Sequence, residues 1–244
     1  MPDKPPASFW LRPAARPRII AHRGASADAP ENTLSAFGLA LEQGADGIEL
    51  DLRLSADGWP VVMHDAQLRQ TTGATGRVSA WKLAELKRLD AGDGRPAPAL
   101  QAVFARFGQH LLYNLELKGF LWPPAGLGAL ARVIRAESLE DHVLISSFSP
   151  LLLRVLKPML PAGVPLGLLR HSRSGRSGHK LVTFAADHPA ERLVDARLMA
   201  WSAAQGLRVH AWTVDEPARA RELSALGVHA IITNRPAHIR AALG

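Results

Sequence analysis

Short apolar runs with β-strand character alternate with helical segments along most of this chain, and this alternation restricts its fold more than any other feature. Such alternation favours a parallel sheet, because parallel neighbours need a long connection that a helix supplies. The strand candidates are residues 18–21, 47–52, 60–63, 111–117, 142–146, 165–168, 181–184, 207–212 and 229–232. The helix candidates are residues 33–43, 127–135, 150–156, 190–205 and 216–226. A length of 244 residues fits one α/β barrel or one two-layer domain.

The strand candidates are one too many for an eight-stranded barrel. Two of them are separated only by residues 53–59, which contain Asp57 and Gly58. Asp-Gly between apolar runs is typical of a hairpin, and a parallel crossover does not fit in so short a connection. Either the barrel is distorted at this point, or one of the two runs is not a barrel strand.

Residues 1–17 contain several prolines and no continuous apolar stretch, so we expect a poorly ordered lead-in rather than a secretory signal. Residues 18–244 are then expected to form a single domain. The lack of a signal favours the cytoplasm, and no apolar run reaches the roughly 18–20 residues of a membrane-spanning helix. The chain has no cysteine, which excludes disulfides, thiol nucleophiles and thiolate metal sites.

The net charge of +7 suits anionic partners such as nucleic acid, phospholipid surfaces or phosphorylated small molecules. A compositional preference for arginine explains the same charge equally well. Residues 170–180 are basic and rich in Gly and Ser, which predicts a mobile loop. That loop either touches anionic lipid at the rim of a site or is simply solvated.

Two apolar strand candidates end in titratable side chains. His22 and Arg23 follow the first, and His64 and Asp65 follow the third. In barrels, residues at the C-terminal ends of strands face the active site. A histidine there offers a proton donor or acceptor, and an arginine offers a fixed fork for phosphate. Asp65 either orients His64 or begins the following turn.

Acidic residues lie within two other strand candidates. Glu49 and Asp51 are two residues apart, so they share one face of their strand. A hard divalent cation, Mg²⁺ or Ca²⁺, would relieve their repulsion, whereas the alternative is a pair of solvent-facing acids on an edge strand. Glu116 and Lys118 share a face in the same way. Glu116 would complete a metal site and Lys118 would balance phosphate charge, unless the two form a surface ion pair.

These residues together supply two histidines, three carboxylates, an arginine and a lysine at or near the ends of apolar strands. Metal-assisted phosphoryl transfer requires this set, because it uses metal ligands, an acid–base pair and a cationic clamp. Chance would place most such residues in loops and on helix faces.

The order His22-Arg23, Glu49-x-Asp51 and His64 resembles the signature of the glycerophosphodiester phosphodiesterase family. The resemblance covers about residues 18–240 and includes Pro30-Glu31-Asn32-Thr33, Leu115-Glu116-Leu117-Lys118, Ser146-Ser147-Phe148, Ala211-Trp212-Thr213-Val214 and Thr233-Asn234-Arg235-Pro236. It implies an α/β fold, a TIM-type (β/α)8 barrel that is somewhat distorted, with a small insertion after the third strand at about residues 66–109. The implied activity is metal-dependent hydrolysis of small glycerophosphodiesters, such as glycerophosphocholine or glycerophosphoethanolamine, to glycerol 3-phosphate and an alcohol.

The resemblance also implies roles for individual residues, with one divalent cation, Mg²⁺ or Ca²⁺, as cofactor. These are general acid and base for His22 and His64, cation ligation for Glu49, Asp51 and Glu116, phosphate binding for Arg23 and Lys118, and contact with the glycerol end for Trp212. Which histidine is the acid stays open. We interpret Asn32 as the N-cap of the first helix.

Two departures from the family pattern bear on substrate choice. Gln70 stands where the family has arginine, and Asn234 stands where it has aspartate. A lysophospholipase D acting at a membrane surface is the main alternative, and a barrel that binds phosphorylated ligands without turnover is another. We do not expect nucleic-acid binding, because no motif supports it and the single tyrosine, Tyr113, leaves few stacking platforms. Headgroup preference and oligomeric state stay open.

Overall fold

The computed structural model describes residues 8–92 and 94–244, without the side chains of residues 175–177. The predicted lead-in falls in part on residues 1–7, which lie outside the described residues. From Ser8 onward the chain is attached to the barrel. Trp10 is buried, and its indole nitrogen donates a hydrogen bond to the carbonyl of His142 over 2.8 Å.

The strands of the described chain form one sheet. They are β1 (Arg18–His22), β2 (Gly47–Leu54), β3 (Pro60–Val62), β4 (Leu112–Leu117), β5 (Val143–Ser147), β6 (Leu166–Arg170), β7 (Ala186–Pro189), β8 (Arg208–Ala211) and β9 (Ala230–Thr233). All of them except β3 run parallel to their neighbours. The sheet closes into an eight-stranded barrel because β1 pairs with both β2 and β9.

The extra strand is the second arm of a hairpin. β3 pairs antiparallel with β2, outside the closed barrel. The turn between them is tightened by a hydrogen bond of 3.0 Å from the Gly58 amide to the Ser55 carbonyl, and Gly58 has a φ of +79°. The Asp-Gly signal is confirmed, and the run at residues 60–63 is not a barrel strand.

Helices cover the outside of the barrel. They are α1 (Leu34–Glu42), α2 (Leu68–Thr72), α3 (Leu83–Leu86), α4 (Leu100–Phe107), α5 (Pro124–Ala136), α6 (Pro150–Leu156), α7 (Ala196–Ala204), α8 (Pro217–Ala225) and α9 (Pro236–Leu243). α2 and α3 belong to the segment between β3 and β4, which has a small apolar cluster of its own around Leu68, Val78 and Leu86. No helix in the described part of the chain is both long and apolar enough to cross a membrane.

Side-chain alternation along the strands creates two environments. On β4, Tyr113, Leu115 and Leu117 face outward and join the core that Leu127 and Leu130 of α5 complete. Burial of these large side chains contributes about 1.5–3 kcal/mol each, before the opposing conformational entropy is counted. The residues that alternate with them on β4 therefore face the inside of the barrel.

The inside of the barrel is apolar at its floor and polar at its mouth. Leu112 of β4 packs there with Ile20, Leu144 and Trp10, which fill the N-terminal end of the barrel. Glu116, two inward positions further along β4, lies near the C-terminal end. The apolar side chains therefore pack the N-terminal end of the barrel, and the polar side chains lie at its C-terminal mouth.

The sixth barrel strand, β7, does not lie where the sequence predicted it. Residues 181–184 form no strand, and β7 instead begins at Ala186. Its central residues Asp187 and His188 are polar and fully buried, so the strand lacks an apolar signal. Nε of Arg170 donates to Asp187 over 2.6 Å, and His188 lies 2.9 Å from a ring nitrogen of His210, which makes this burial tolerable.

The predictions for the segments on either side of β7 also differ from the structure. The helix predicted at residues 190–205 begins only at Ala196, because Asp195 caps it by accepting a hydrogen bond of 2.7 Å from the Leu198 amide. The prediction of a mobile loop at residues 170–180 is also wrong for its first residue, Arg170. Arg170 is the last residue of β6 and is buried, and a 3₁₀ helix spans Ser174–Lys180.

Candidate active site

The register of the parallel strands brings the predicted site residues to the mouth of the barrel. His22 pairs with Glu49 across β1 and β2, and Asp51 pairs with Glu116 across β2 and β4. A cavity of about 330 Å³ opens above them. The predicted site residues that line it are His22, Arg23, Glu49, His64, Glu116, Lys118 and Trp212. Asp51 lies beneath this lining and is fully buried.

Three buried carboxylates form the floor of the cavity. Glu49, Asp51 and Glu116 each have an oxygen within 4.8 Å of the other two. Burial, reinforced by the charges of Asp51 and Glu116, raises the pKa of Glu49 well above its ordinary value. Burial and the charge of Asp51 raise the pKa of Glu116 to about 7. Both shifts follow from burial and from the mutual repulsion of the carboxylates, which a bound cation would relieve.

The cluster of three carboxylates fits a hard divalent cation. Oε1 of Glu49 is buried and accepts no hydrogen bond from any residue in the described part of the chain. A buried, unpaired carboxylate oxygen is costly, and coordination would remove that cost. All three ligand atoms are oxygens, which Mg²⁺ and Ca²⁺ prefer over the softer metals.

Two cationic side chains flank the carboxylates. Nζ of Lys118 contacts Glu116 and lies 2.9 Å from Oδ1 of Asp51. Nε of Arg23 lies 3.1 Å from Oδ2 of Asp51, and Nη1 of Arg23 donates to both oxygens of Glu31 over 2.8–2.9 Å. Burial opposes the charge of Asp51, but Lys118 and Arg23 outweigh it and lower the pKa of that carboxyl.

Asn32 is a site residue whose role the sequence did not indicate. Its Nδ2 donates to Oδ2 of Asp51 over 2.8 Å, and its Oδ1 accepts from the Asp51 amide over 3.2 Å. The N-cap of α1 is instead Thr33, whose hydroxyl accepts from the Ala36 amide, so the prediction for Asn32 was wrong. Asn32 has a φ of +59°, a conformation that asparagine tolerates better than most residues.

His22 is held by a hydrogen-bond chain that selects one tautomer. Its Nδ1 lies 2.7 Å from Oδ1 of Asn234, while Nδ2 of Asn234 donates to Asp215 over 2.6 Å. With the amide oriented this way, Nδ1 of His22 is the donor and Nε2 carries no proton in the neutral ring. Nε2 lies 3.9 Å from Oε2 of Glu49. Burial and the charge of Arg23 lower the pKa of His22, which favours this neutral form.

His64 reaches the cavity from the hairpin. It follows β3 by two residues, and its Nδ1 lies 3.0 Å from Oδ1 of Asp65. The backbone is also fixed, because Nε of Arg53 donates to the His64 carbonyl over 2.8 Å. One third of the His64 side chain is exposed, so its ring is more open to solvent than that of His22.

Aromatic rings form the opposite wall. Nε1 of Trp212 donates to the His188 carbonyl over 2.7 Å, which fixes the indole. His171 and Phe148 meet its ring edge-to-face at centroid distances of 5.0 and 5.6 Å, and they stack on each other at 4.4 Å. The sequence singled out neither ring as a wall of the site, because the two lie in different strand–helix connections.

Residues 22–238 match the family model described as the glycerophosphoryl diester phosphodiesterase family. A glycerophosphodiester phosphodiesterase from Caldanaerobacter subterraneus subsp. tengcongensis is 37% identical over 229 residues, covering 89% of this chain and 94% of that protein.

Solved structures of phosphodiesterases are also similar to this chain. The structure of a phosphodiesterase from Oleispira antarctica, in complex with the product sn-glycerol-3-phosphate, is 30% identical with a TM-score of 0.83 and covers 93% of this chain and 96% of its own. A glycerophosphodiester phosphodiesterase from Agrobacterium tumefaciens is 28% identical with a TM-score of 0.79, covering 92% of this chain and 99% of its own.

Proposed function

The chain belongs to the glycerophosphoryl diester phosphodiesterase family and is an enzyme, and we propose that it hydrolyses small glycerophosphodiesters to glycerol 3-phosphate and an alcohol. Glycerophosphocholine and glycerophosphoethanolamine are the substrates of the expected size and charge. The product complex of the Oleispira antarctica phosphodiesterase supports glycerol 3-phosphate as the product here.

The observation that carries this proposal is the grouping of His22, His64 and three buried carboxylates around one cavity of about 330 Å³. Phosphodiester hydrolysis needs a base for the attacking hydroxyl, an acid for the leaving alcohol and compensation of the phosphate charge. The two histidines would provide the base and the acid, while Arg23, Lys118 and the cation that the carboxylates would hold would compensate the phosphate charge.

The surroundings of the two histidines differ, and this difference supports separate roles for them. His22 is the general base, because the hydrogen bond to Asn234 leaves Nε2 bare and burial keeps the ring neutral. It takes the proton from the attacking oxygen, which is either water or the 2-hydroxyl of the substrate glycerol. In the second case a cyclic phosphate forms as the alcohol leaves, and water then opens it to glycerol 3-phosphate. His64 is the general acid, and it gives a proton to the alcohol oxygen as the bond from that oxygen to phosphorus breaks.

Glu49, Asp51 and Glu116 would hold one divalent cation, Mg²⁺ or Ca²⁺, which when bound supplies Lewis-acid stabilisation of negative charge on the phosphate. Arg23 and Lys118 add positive charge on the same side of the cavity. Arg23 suits a tetrahedral phosphate because its guanidinium is a planar fork of donors. Trp212 offers an apolar face to the glycerol carbons.

The direct test is release of glycerol 3-phosphate from glycerophosphocholine by the purified protein, first in EDTA and then with Mg²⁺ or Ca²⁺ restored. We expect release only with the cation. Release that is unaffected by EDTA would argue against the carboxylate site, and no release under either cation would argue against this substrate class.

Lysophospholipids are a second candidate substrate class, because an apolar cavity adjoins the site. This cavity, of about 460 Å³, shares Phe148, Leu169 and His171 with the catalytic cavity and continues to Leu181. Its lining suits the acyl chain of a lysophospholipid whose phosphate occupies the site. The basic segment predicted at residues 170–180 gives less support, because its first residue, Arg170, is buried and paired with Asp187.

The two substrate classes can be separated by the turnover ratio of lysophosphatidylcholine to glycerophosphocholine. Leu181→Gln should lower this ratio if the apolar cavity holds the acyl chain. Leu41→Gln is the matched control, because Leu41 is similarly exposed and lies on α1. A ratio near zero for the unmodified protein would leave only the small diesters.

A further inference from the structure

A second cavity, of about 200 Å³ and with a mixed polar and apolar lining, adjoins the catalytic cavity on the side of the hairpin. Its polar lining comes from Arg53, Arg77, Ser79 and Lys118, and Trp122 contributes an apolar wall. Lys118 also lines the catalytic cavity, so the two cavities meet at the side chain that we place beside the phosphate.

The two arginines come from different elements. Arg53 lies on β2 two residues beyond Asp51, and its Nε is engaged by the His64 carbonyl over 2.8 Å. Arg77 comes from the segment between β3 and β4, where its backbone bridges to Gln67. The hairpin and this segment therefore bring two guanidinium groups to one cavity.

The positive charge of this cavity is poorly compensated. In the described part of the chain, no carboxylate lies within the 4.0 Å of an ion pair from Arg53 or Arg77. Asp65 contacts His64 instead. An anion in the cavity would compensate both charges.

We propose that this cavity, the Arg53–Arg77 subsite, binds a carboxylate on the leaving alcohol of the substrate, as in glycerophosphoserine. The inference rests on the proposed function and extends it to substrate preference. The subsite adjoins the backbone of His64, because Nε of Arg53 donates to the His64 carbonyl, and the His64 ring is the proposed proton donor to the leaving oxygen. The aromatic wall of Trp212 and Phe148, where we place the glycerol end, lines the catalytic cavity and not this subsite.

Glycerophosphoserine and glycerophosphoethanolamine test this inference well, because they differ by one carboxylate. The quantity to measure is the ratio of their kcat/KM values. We expect the unmodified protein to favour glycerophosphoserine and Arg77→Gln to lower the ratio about fivefold, the size expected for a partly exposed charge contact. Arg77→Lys, which keeps the charge, should retain most of the preference. Arg88→Gln, an exposed arginine outside the cavity, should leave the ratio unchanged.

Binding measured by calorimetry separates this inference from the proposed function, because it needs no turnover. Phosphoserine should bind more tightly than phosphoethanolamine, and Arg77→Gln should remove the difference. Equal binding of the two compounds, or a difference that survives Arg77→Gln, would overturn the subsite. Absent turnover of both diesters, combined with selective phosphoserine binding, would instead overturn the proposed function and leave the subsite standing.

Discussion

Nδ1 of His22 lies 2.7 Å from Oδ1 of Asn234, and the orientation of that amide is fixed by its second hydrogen bond, to Asp215. The amide oxygen can only accept, so the proton of the neutral His22 ring is on Nδ1. Asn234 is uncharged, so it orients the histidine without adding a negative charge beside the buried carboxylates.

Asn234→Ala should lower kcat about tenfold and change KM little, because the His22 ring would lose its orientation while the phosphate contacts remain. Steady-state kinetics with glycerophosphocholine measures both constants. Asn32 is unsuitable as a control because it bonds to Asp51, whereas Gln205→Ala at the end of α7 is remote from the cavity. An unchanged kcat in Asn234→Ala would show that catalysis does not depend on the hydrogen bond from His22 to Asn234.

Cation binding should stabilise the fold measurably. A cation at about 100 times its Kd raises the free energy of unfolding by about 2.7 kcal/mol, provided that it binds only the native state. We expect Mg²⁺ or Ca²⁺ to raise the Tm of the unmodified protein and to have little effect on Glu116→Gln. Glu42→Gln on α1 is the control, because Glu42 is exposed. An equal Tm rise in Glu116→Gln would place the cation elsewhere.

Much of this site was readable from the chain because its residues sit at regular positions on apolar strands. Glu49 and Asp51 share a face by strand alternation, and their inward direction follows from the outward packing of the apolar residues between them. The Asp-Gly turn likewise predicted a hairpin at residues 53–59, although it did not show which of the two flanking runs leaves the barrel. These features depend on local spacing, which a sequence displays directly.

The remaining features depend on contacts between distant residues. β7 was missed because Asp187 and His188 are buried through pairing with Arg170 and His210, and such a strand looks polar. The contact of Asn32 with Asp51 joins residues 19 positions apart. It also depends on the positive φ of Asn32, which no sequence pattern predicts.

The buried histidines should make the fold sensitive to acid. Burial lowers the pKa of His188 from 6.5 to about 4, so the unfolded chain takes up this proton first as the pH falls. The stability contributed by neutral His188 is complete above pH 6.5 and is lost towards pH 4. It corresponds to about 3 kcal/mol for this one group.

Urea denaturation in EDTA at several pH values measures this loss. His188→Gln should show a shallower fall in the free energy of unfolding between pH 6.5 and 4, since the carboxylates contribute alike to both proteins. Should the variant prove too unstable, titration of His188 by NMR in the unmodified protein gives the same answer. Parallel slopes, or a titration near 6.5, would contradict the account.

The arginine fork of Arg23 should matter beyond its charge. Arg23→Gln is expected to lower kcat/KM by about 100-fold, as removal of a phosphate-stabilising donor commonly does. Arg23→Lys should recover only part of the loss, because an ammonium cannot make two parallel hydrogen bonds. Arg235→Gln, at an exposed arginine beside α9, serves as the control. Full activity in Arg23→Lys would show that only the positive charge of Arg23 is needed and not its planar set of donors.

The central claim is that His22 and His64 carry the acid–base chemistry, and the most direct test is glycerol 3-phosphate release by the double variant His22→Ala/His64→Ala with saturating cation. Its control is His238→Ala, an exposed histidine on α9. The account predicts that the double variant loses at least about 100-fold in kcat while His238→Ala keeps full activity. Undiminished release by a folded double variant would contradict the account.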